Sequence, residues 1–144
     1  MQKLSGSKKV DVVLLTSQKI DGQYDTDRME TVGEFFEKEN SCHLLYQENN
    51  VKTHIRISGD TVHVHRLGEL SGDLWFVKGD ERDTRYETPY GRMLLTLDTH
   101  KLEWDAKRLR LHIRYNILSE GQLLSMNEMT IEMKERKEHE KSCK

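Results

Sequence analysis

Alternation of apolar and polar residues, repeated along most of the chain and interrupted by short turns, is the feature that most constrains the fold. Few windows have the i, i+3, i+4, i+7 apolar spacing of an amphipathic helix, whereas period-two alternation recurs, most clearly at residues 109–117. The pattern predicts about eight to ten antiparallel strands, each beside its neighbour in sequence, and no helix long enough for a parallel crossover. We therefore expect an all-β fold, a single up-and-down barrel, because closure removes exposed edge strands.

Two-residue turns punctuate the alternation and fix how neighbouring strands pair. Asp21-Gly22 is a strong hairpin signal because both turn positions favour positive φ, and Gly59-Asp60 places glycine first, as a type II′ turn requires. The Gly59-Asp60 turn predicts three residue pairs that face the interior and two that face outward. The interior pairs are Ile57 with Val62, Ile55 with Val64 and Thr53 with Arg66, and the outward pairs are Arg56 with His63 and His54 with His65.

The last strand-like segment changes phase along its length. Leu124 and Met126 share one face, whereas Met129, Ile131 and Met133 share the other. An inserted bulge residue produces such a change. We predict a bulge near residues 127–128, and since a bulge re-aims side chains, Asn127 becomes a candidate site residue.

The only proline of the chain lies in the segment Thr88-Pro89-Tyr90-Gly91, between two strand-like segments. Proline has no N–H to donate to a sheet and favours an extended conformation in the residue before it. The segment therefore predicts a rigid corner between two strands.

Length and composition indicate one domain and argue against nucleic-acid binding and membrane association. The length of 144 residues suits one domain, which we place at residues 10–134, with an N-terminal tail at 1–9 and a charged C-terminal tail at 135–144. The net charge of -2, from 23 basic and 25 acidic residues, argues against a nucleic-acid-binding face. No apolar run approaches the ~20 residues that span a bilayer, so we expect no membrane association.

Cysteine usage and the N-terminus predict a cytoplasmic protein. Cys42 and Cys143 have no framework spacing, which is typical of free thiols in a reducing compartment. The first residues lack the apolar length and the small-residue cleavage site of a signal peptide.

Several motifs are similar to those of one bacterial family. The main motif runs Phe76-x-x-Gly79-x-x-Arg82 and then Tyr86-x-Thr88-Pro89-Tyr90-Gly91. Further matches are Gln18-Lys19-Ile20-Asp21-Gly22, Glu30-Thr31-x-Gly33 followed by Phe35-Phe36-Glu37-Lys38, Arg66-x-Gly68, and Gly121-Gln122-Leu123 leading to Ser125-x-Asn127. Over residues 10–134 the chain resembles the YwiB-like family, a domain of unknown function chiefly from low-GC Gram-positive bacteria. The resemblance implies a small calycin-type, lipocalin-like β-barrel, and it implies no reaction, because a shared fold does not transfer function.

The chain departs from the family at one strand. Members continue Ser-Arg-Asn-Arg where this chain has Ser125-Met126-Asn127-Glu128. We therefore expect a basic contact on that strand to be missing here.

Arg66 is the strongest candidate for a functional residue. It follows Val62 and Val64 on the predicted interior face, and a buried guanidinium is costly unless it is paired. One interpretation is a clamp on an anionic group of a ligand at the barrel mouth. The other is an internal ion pair with Glu30 or Glu87, or an arginine whose head reaches solvent at the rim.

Hydroxyl-bearing residues complete the candidate ligand site. Tyr86, Thr88, Tyr90 and Tyr115 could line a pocket, because a tyrosine combines an apolar body with a polar tip. The alternative is a structural corner whose hydroxyl bonds neighbouring backbone. The complete set of candidate ligand-binding residues is Arg66, Tyr86, Thr88, Tyr90, Tyr115, Asn127 and Glu30.

Metal binding and catalysis receive little support. His54 and His65, with His63 nearby, could share Zn²⁺ on the outer face, but no carboxylate is fixed by the same register and an exposed polar face is the simpler interpretation. No nucleophile motif or glycine-rich phosphate loop is present. We therefore expect no metal, no cofactor and no catalytic residue, and an enzyme is disfavoured.

Two expectations follow for function. The first is a barrel that binds one small molecule, anionic if Arg66 holds it and of unknown identity, without catalysis. The second is an interaction module or homodimer with a packed interior, whose exposed apolar patch would lie near Leu70, Trp75 and Trp104.

Overall fold

The computed structural model describes residues 6–136, which form a closed antiparallel barrel of ten strands. Each strand pairs with its neighbours in sequence, and the first pairs with the last. The all-β, up-and-down barrel predicted from the alternation is therefore confirmed. The strands are β1 (Lys8–Ile20), β2 (Gln23–Lys38), β3 (Ser41–Glu48), β4 (Val51–Ser58), β5 (Thr61–Gly68), β6 (Ser71–Val77), β7 (Glu81–Thr88), β8 (Gly91–Asp105), β9 (Arg110–Ser119) and β10 (Gln122–Glu135).

The turns follow the chemistry of their residues. Asp21 and Gly22 have φ of 50° and 81°, so both take the positive values of a type I′ hairpin. Gly59 has φ of 57°, as the first position of a type II′ turn requires. The predicted pairing of β4 with β5 is confirmed at every pair, including His54 opposite His65.

Apolar side chains fill most of the barrel interior. The buried residues of β4 and β5 are those that the predicted register places inward, and strands on the opposite wall add Leu111, Ile113 and Ile131. The core cluster consists of Val10, Val12, Phe35, Leu44, Ile55, Ile57, Val62, Val64, Phe76, Leu97, Leu102, Leu111, Ile113, Met129, Ile131 and Met133.

The bulge on β10 lies at a different place from the predicted one. Pairing with β9 shifts between Leu123 and Ser125 and is then regular through Glu132. The prediction at residues 127–128 is wrong because it assigned Leu124 and Met126 to the interior by their hydrophobicity. In the structure Ser125 and Asn127 are buried and Met126 is exposed.

A second irregularity, on β8, corrects the position of Trp104. Pairing with β9 shifts between Thr99 and Lys101, so one extra residue is inserted. As a result Leu102 is buried and Trp104 packs against the core, with its ring centroid 6.2 Å from that of Phe35. The sequence had suggested that Trp104 belongs to an outward apolar patch, and the structure shows that this prediction is wrong.

The hairpin of β6 and β7 is paired only at its open end. Backbone partners are Ser71 with Glu87 and Gly72 with Tyr86. Further along, the Thr84 hydroxyl donates to the carbonyl of Asp73 in place of a ladder hydrogen bond. The barrel wall is thus less regular here than between any other pair of neighbouring strands within residues 6–136.

The predicted tails are only partly described. β1 begins at Lys8, inside the predicted N-terminal tail, and β10 ends at Glu135, the first residue of the predicted C-terminal tail. The rest of that tail from residue 137, including Cys143, lies outside the described residues. Within residues 6–136 there is no helix of the length and apolarity needed to cross a membrane.

Candidate ligand site inside the barrel

A band of inward-facing residues crosses seven adjacent strands near the end of the barrel that carries the turns at residues 49–50, 69–70 and 89–90. Each residue of the band is the direct cross-strand partner of the next. From β2 to β8 the band reads Gly33, Tyr46, Thr53, Arg66, Gly72, Tyr86 and Met93. We call Tyr46, Thr53, Arg66 and Tyr86, together with Tyr115 of β9, the polar layer.

Arg66 is the only charged member of the polar layer. It is half-buried, and its Nη1 donates a hydrogen bond of 2.9 Å to the Tyr86 hydroxyl. Burial acts to lower the pKa of Arg66, but the Tyr86 and Tyr46 hydroxyls act to raise it, and the pKa lies above its ordinary value. The guanidinium is therefore cationic at neutral pH.

Neither carboxylate suggested as an ion-pair partner lies inside the barrel. Glu30 and Glu87 are exposed and pair with Arg28 at 2.7 Å and with Arg92 at 3.5 Å. Arg66 forms no ion pair within residues 6–136. The charge of Arg66 is thus met by phenol dipoles rather than by a carboxylate.

Gly72 makes room for the hydrogen bond between Arg66 and Tyr86. A Cβ atom at this position would lie 2.7 Å from Cδ1 of Tyr86 and 2.8 Å from the carbonyl oxygen of Arg85. Gly72 also has φ of 151°, which side-chain-bearing residues rarely adopt. Only glycine therefore allows the ring of Tyr86 to lie across β6 with its hydroxyl at Arg66.

Tyr115 approaches the same group from the opposite wall. Its ring meets the ring of Phe76 edge-on, with centroids 4.7 Å apart. Burial raises the pKa of Tyr115; the positive charge of Arg66 opposes this effect and Tyr86 reinforces it. Tyr115 is therefore a neutral phenol at neutral pH, with a hydroxyl that can donate or accept a hydrogen bond.

A second group of buried polar atoms lies on β10 and its neighbours. Asn127 Nδ2 donates to Ser125 Oγ at 2.9 Å and to the carbonyl of Tyr115 at 3.5 Å, and Gln18 Nε2 donates to the same Ser125 oxygen at 3.5 Å. Thr99, which is the cross-strand partner of Tyr115, is 1% exposed, and its Oγ1 has no hydrogen-bond partner among residues 6–136. Asn127 is thus buried beside the polar layer, although the bulge that suggested it lies elsewhere.

Three other residues of the predicted site do not join the polar layer. The Thr88 hydroxyl accepts from the Tyr90 N–H at 3.1 Å and donates to the Gly91 carbonyl at 3.0 Å, which closes the turn around the proline. Tyr90 is 99% exposed at the tip of that turn. Glu30 lies on the outer face of β2.

Sequence reasoning missed Tyr46, Thr53 and Ser125 as site residues. The first two were within reach, because the two-residue turn at Asn49-Asn50 makes Tyr46 the partner of Thr53, which was already paired with Arg66. Ser125 was missed because no local signal distinguishes a buried serine from an exposed one. The interior position follows only from the pairing of β10 with both β1 and β9.

The polar layer presents groups that can bind an anion. It offers one permanent positive charge and several hydroxyls around it. A planar guanidinium suits a carboxylate or phosphate, and tyrosine hydroxyls can hydrogen-bond the same oxygens.

The fold defines a class of small antiparallel barrels, and comparison with known proteins places the chain within it. A family model described as a domain of unknown function, DUF1934, matches residues 12–131. The chain belongs to this family.

One relative and one similar solved structure come from Bacillus subtilis. The chain is 26% identical over 117 residues to a protein described as uncharacterized beta-barrel protein YwiB, with 77% of this chain and 82% of the relative covered. It also superimposes on the crystal structure of the ywiB protein from that organism with a TM-score of 0.80 and 22% identity, over 91% of this chain and 94% of the other. The resemblance to the YwiB-like family is thus confirmed, and at this identity the structural match concerns the fold alone.

Proposed function

We propose that the protein binds a small anionic molecule at the polar layer, with the guanidinium of Arg66 as the principal contact and without catalysis. In this proposal the protein is a bacterial, cytoplasmic relative of calycin-type binding barrels. The single observation that carries it is a half-buried arginine whose charge no carboxylate of residues 6–136 neutralises.

A buried charge without an opposite partner destabilises the fold. Removing a guanidinium from water costs several kcal/mol unless an opposite charge compensates, and neutral phenols compensate only in part. An anion bound at Arg66 would supply the missing charge. The surrounding hydroxyls of Tyr46 and Tyr86 would then orient its oxygens.

The chemistry of the layer limits the ligand class. One guanidinium matches one carboxylate or one phosphate group, and the aromatic ring of Tyr115 suits an apolar or aromatic body attached to it. The proposed ligand is therefore a small amphipathic molecule with one acidic group.

The test begins with the full-length wild-type protein analysed by native mass spectrometry for co-purified small molecules. A panel of carboxylates and monophosphates is then scored by the shift of the thermal unfolding midpoint. We expect at least one acid to raise the midpoint, and Arg66→Ala to abolish that rise. Arg56→Ala is the matched control, because it removes the same charge from the exposed outer face of the neighbouring strand.

Stability of Arg66→Ala discriminates between a ligand clamp and a structural arginine. Removal of one partner of a buried ion pair costs ~3–5 kcal/mol, whereas loss of a single hydrogen bond to a charged group costs ~1.5–3 kcal/mol. We expect the smaller loss, measured by urea unfolding. A loss in the larger range, combined with no bound molecule and no stabilising acid, would contradict the proposal.

A second candidate function is self-association, and one exposed surface favours it. Leu123, Leu124 and Met126 of β10 are 54%, 45% and 48% exposed, which is unusual for three large apolar residues in one short segment. If this segment forms a homodimer interface, light scattering gives twice the mass of the chain for the wild type and a monomer for Leu123→Glu. A monomeric wild type would dismiss this candidate.

A further inference from the structure

Four histidines lie on the outer face of three adjacent strands, opposite the barrel interior. His43 is on β3, His54 on β4, and His63 and His65 on β5. The register makes His54 the direct partner of His65 and of Leu45. The sequence indicated an exposed polar face here, but the structure brings two of these imidazoles into direct contact.

The contact joins His43 and His54. Nδ1 of His43 and Nε2 of His54 lie 2.9 Å apart. The ring of Phe36 stacks on His43 at 4.7 Å with an interplanar angle of 3°, so the orientation of His43 is fixed from its other side. Two ring nitrogens on neighbouring strands are thus held facing each other.

We propose that His43 and His54 together bind a divalent transition-metal ion of the class that prefers imidazole ligands. Two nitrogen ligands of a tetrahedral ion at ~2.0–2.1 Å are ~3.4 Å apart. The two nitrogens would therefore separate by about half an ångström, which small rotations of the side chains provide. This proposal concerns the outer face and does not rest on the anion site inside the barrel.

The protonation state of the pair suits a metal ligand. Burial lowers the pKa of His43, and His54, Arg56 and Lys38 add to the effect. Burial also lowers the pKa of His54, with contributions from His63, His65 and Arg56. Both imidazoles are neutral at pH 7. One of the two facing nitrogens carries the proton of their hydrogen bond, so that ring coordinates after this proton has moved to its other nitrogen, and the pair loses no proton overall.

The charged groups near His43 and His54 affect how tightly a metal ion can bind. Arg56 opposes a cation, whereas the carboxylate of Asp73 lies beyond His65 and is bound by both His63, at 2.7 Å, and His65, at 2.9 Å. In the described part of the chain no three histidine, cysteine, aspartate or glutamate side chains are arranged to hold a metal. The site therefore has two protein ligands, and exchangeable ligands complete the coordination.

Titration of the untagged full-length protein with Cu²⁺ tests the proposal, because copper binds nitrogen ligands most tightly among the divalent first-row metals. We expect one equivalent bound in isothermal titration at pH 7.5, with nitrogen coupling in the electron paramagnetic resonance spectrum. His54→Gln and His43→Gln should each weaken this binding at least tenfold. His100→Gln is the matched control, since His100 lies on β8 beside Asp98 and outside the cluster.

Three outcomes would overturn the proposal. They are no binding of one equivalent at 100 µM Cu²⁺, binding within threefold of wild type in both substituted proteins, and selective loss of binding in His65→Gln, which would place the metal at Asp73. Thermal unfolding of each metal-free variant checks that it is folded. If His43→Gln is unfolded through loss of its stacking on Phe36, the result of His54→Gln decides.

Discussion

The two ends of the barrel interior differ in composition and in what they contribute. The end that carries the turns at residues 39–40 and 59–60 is filled by tightly buried aliphatic and aromatic side chains such as Ile57, Val62 and Leu111. The other end contains the polar layer, in which Arg66 and three tyrosines meet. Burial of apolar area is the main stabilising contribution to a fold, whereas burial of polar groups adds less, and only when they are hydrogen-bonded. We therefore attribute the stability of the barrel mainly to the apolar end and the proposed ligand binding to the polar end.

The largest expected effect is at the apolar end. Ile113 is fully buried between Met129 and Leu102, and Ile113→Ala removes most of its side chain from a packed interior. We expect a loss of ~2–5 kcal/mol in the free energy of unfolding, measured in urea. If Arg66→Ala is more destabilising than Ile113→Ala, the apolar end does not provide most of the stability of the barrel.

A moderate effect is expected from crowding within the polar layer. Gly72→Ala places a methyl group against the ring of Tyr86 and imposes an unfavourable φ. We expect a loss of ~1–3 kcal/mol and loss of any anion binding, because the hydroxyl of Tyr86 moves away from Arg66. Gly79→Ala is the control, since Gly79 has φ of 77° but no atom near the added methyl group. Equal losses in the two variants would show that the contact with Tyr86 carries no cost.

The pH dependence of stability separates the polar layer from the outer face. Between pH 5.5 and 7.5 Arg66 and Tyr115 of the polar layer should not titrate, because their pKa values are raised above ordinary values that already lie above this range. His43 and His54 have pKa values below the ordinary 6.5, so the folded protein binds fewer protons there than the unfolded chain. Their contribution to stability is complete above pH 6.5 and is lost as the pH falls toward the lower folded pKa values.

Urea unfolding across this pH range measures the effect. We expect stability to fall with decreasing pH in the wild type and in Arg66→Gln alike, and to fall less steeply in His54→Gln. A slope that disappears in Arg66→Gln would place the titrating group inside the barrel instead.

The smallest effect is expected where a buried polar atom has no partner. Thr99→Val replaces the Oγ1 atom, which has no hydrogen bond within the described part of the chain, by a methyl group of similar size. We expect a change within ~1 kcal/mol of zero or a slight gain, because no hydrogen bond is lost and the burial of an unpaired hydroxyl is avoided. A loss well beyond 1 kcal/mol would show that the Thr99 hydroxyl makes an interaction that supports the polar end.

Much of the site was predictable where local signals determined it. The turn at Gly59-Asp60 placed Arg66 inside and its pairing was confirmed, and the corner around Pro89 was recognised. The bulge on β10 was assigned to the wrong residues because Ser125 and Asn127 are interior positions occupied by polar side chains. A hydrophobic pattern cannot identify such positions, and polar interiors are where it is least informative.

The sequence by itself determined the strand alternation, the two-residue turns and the pairings that those turns specify. These features follow from backbone sterics and from the period of a strand, which act over a few residues. The tertiary structure decided the extra residues on β8 and β10, the inward position of Trp104 and the meeting of Arg66 with Tyr86 and Tyr115. They depend on closure of the barrel, because only closure gives each strand a second partner and brings side chains from distant segments into one interior.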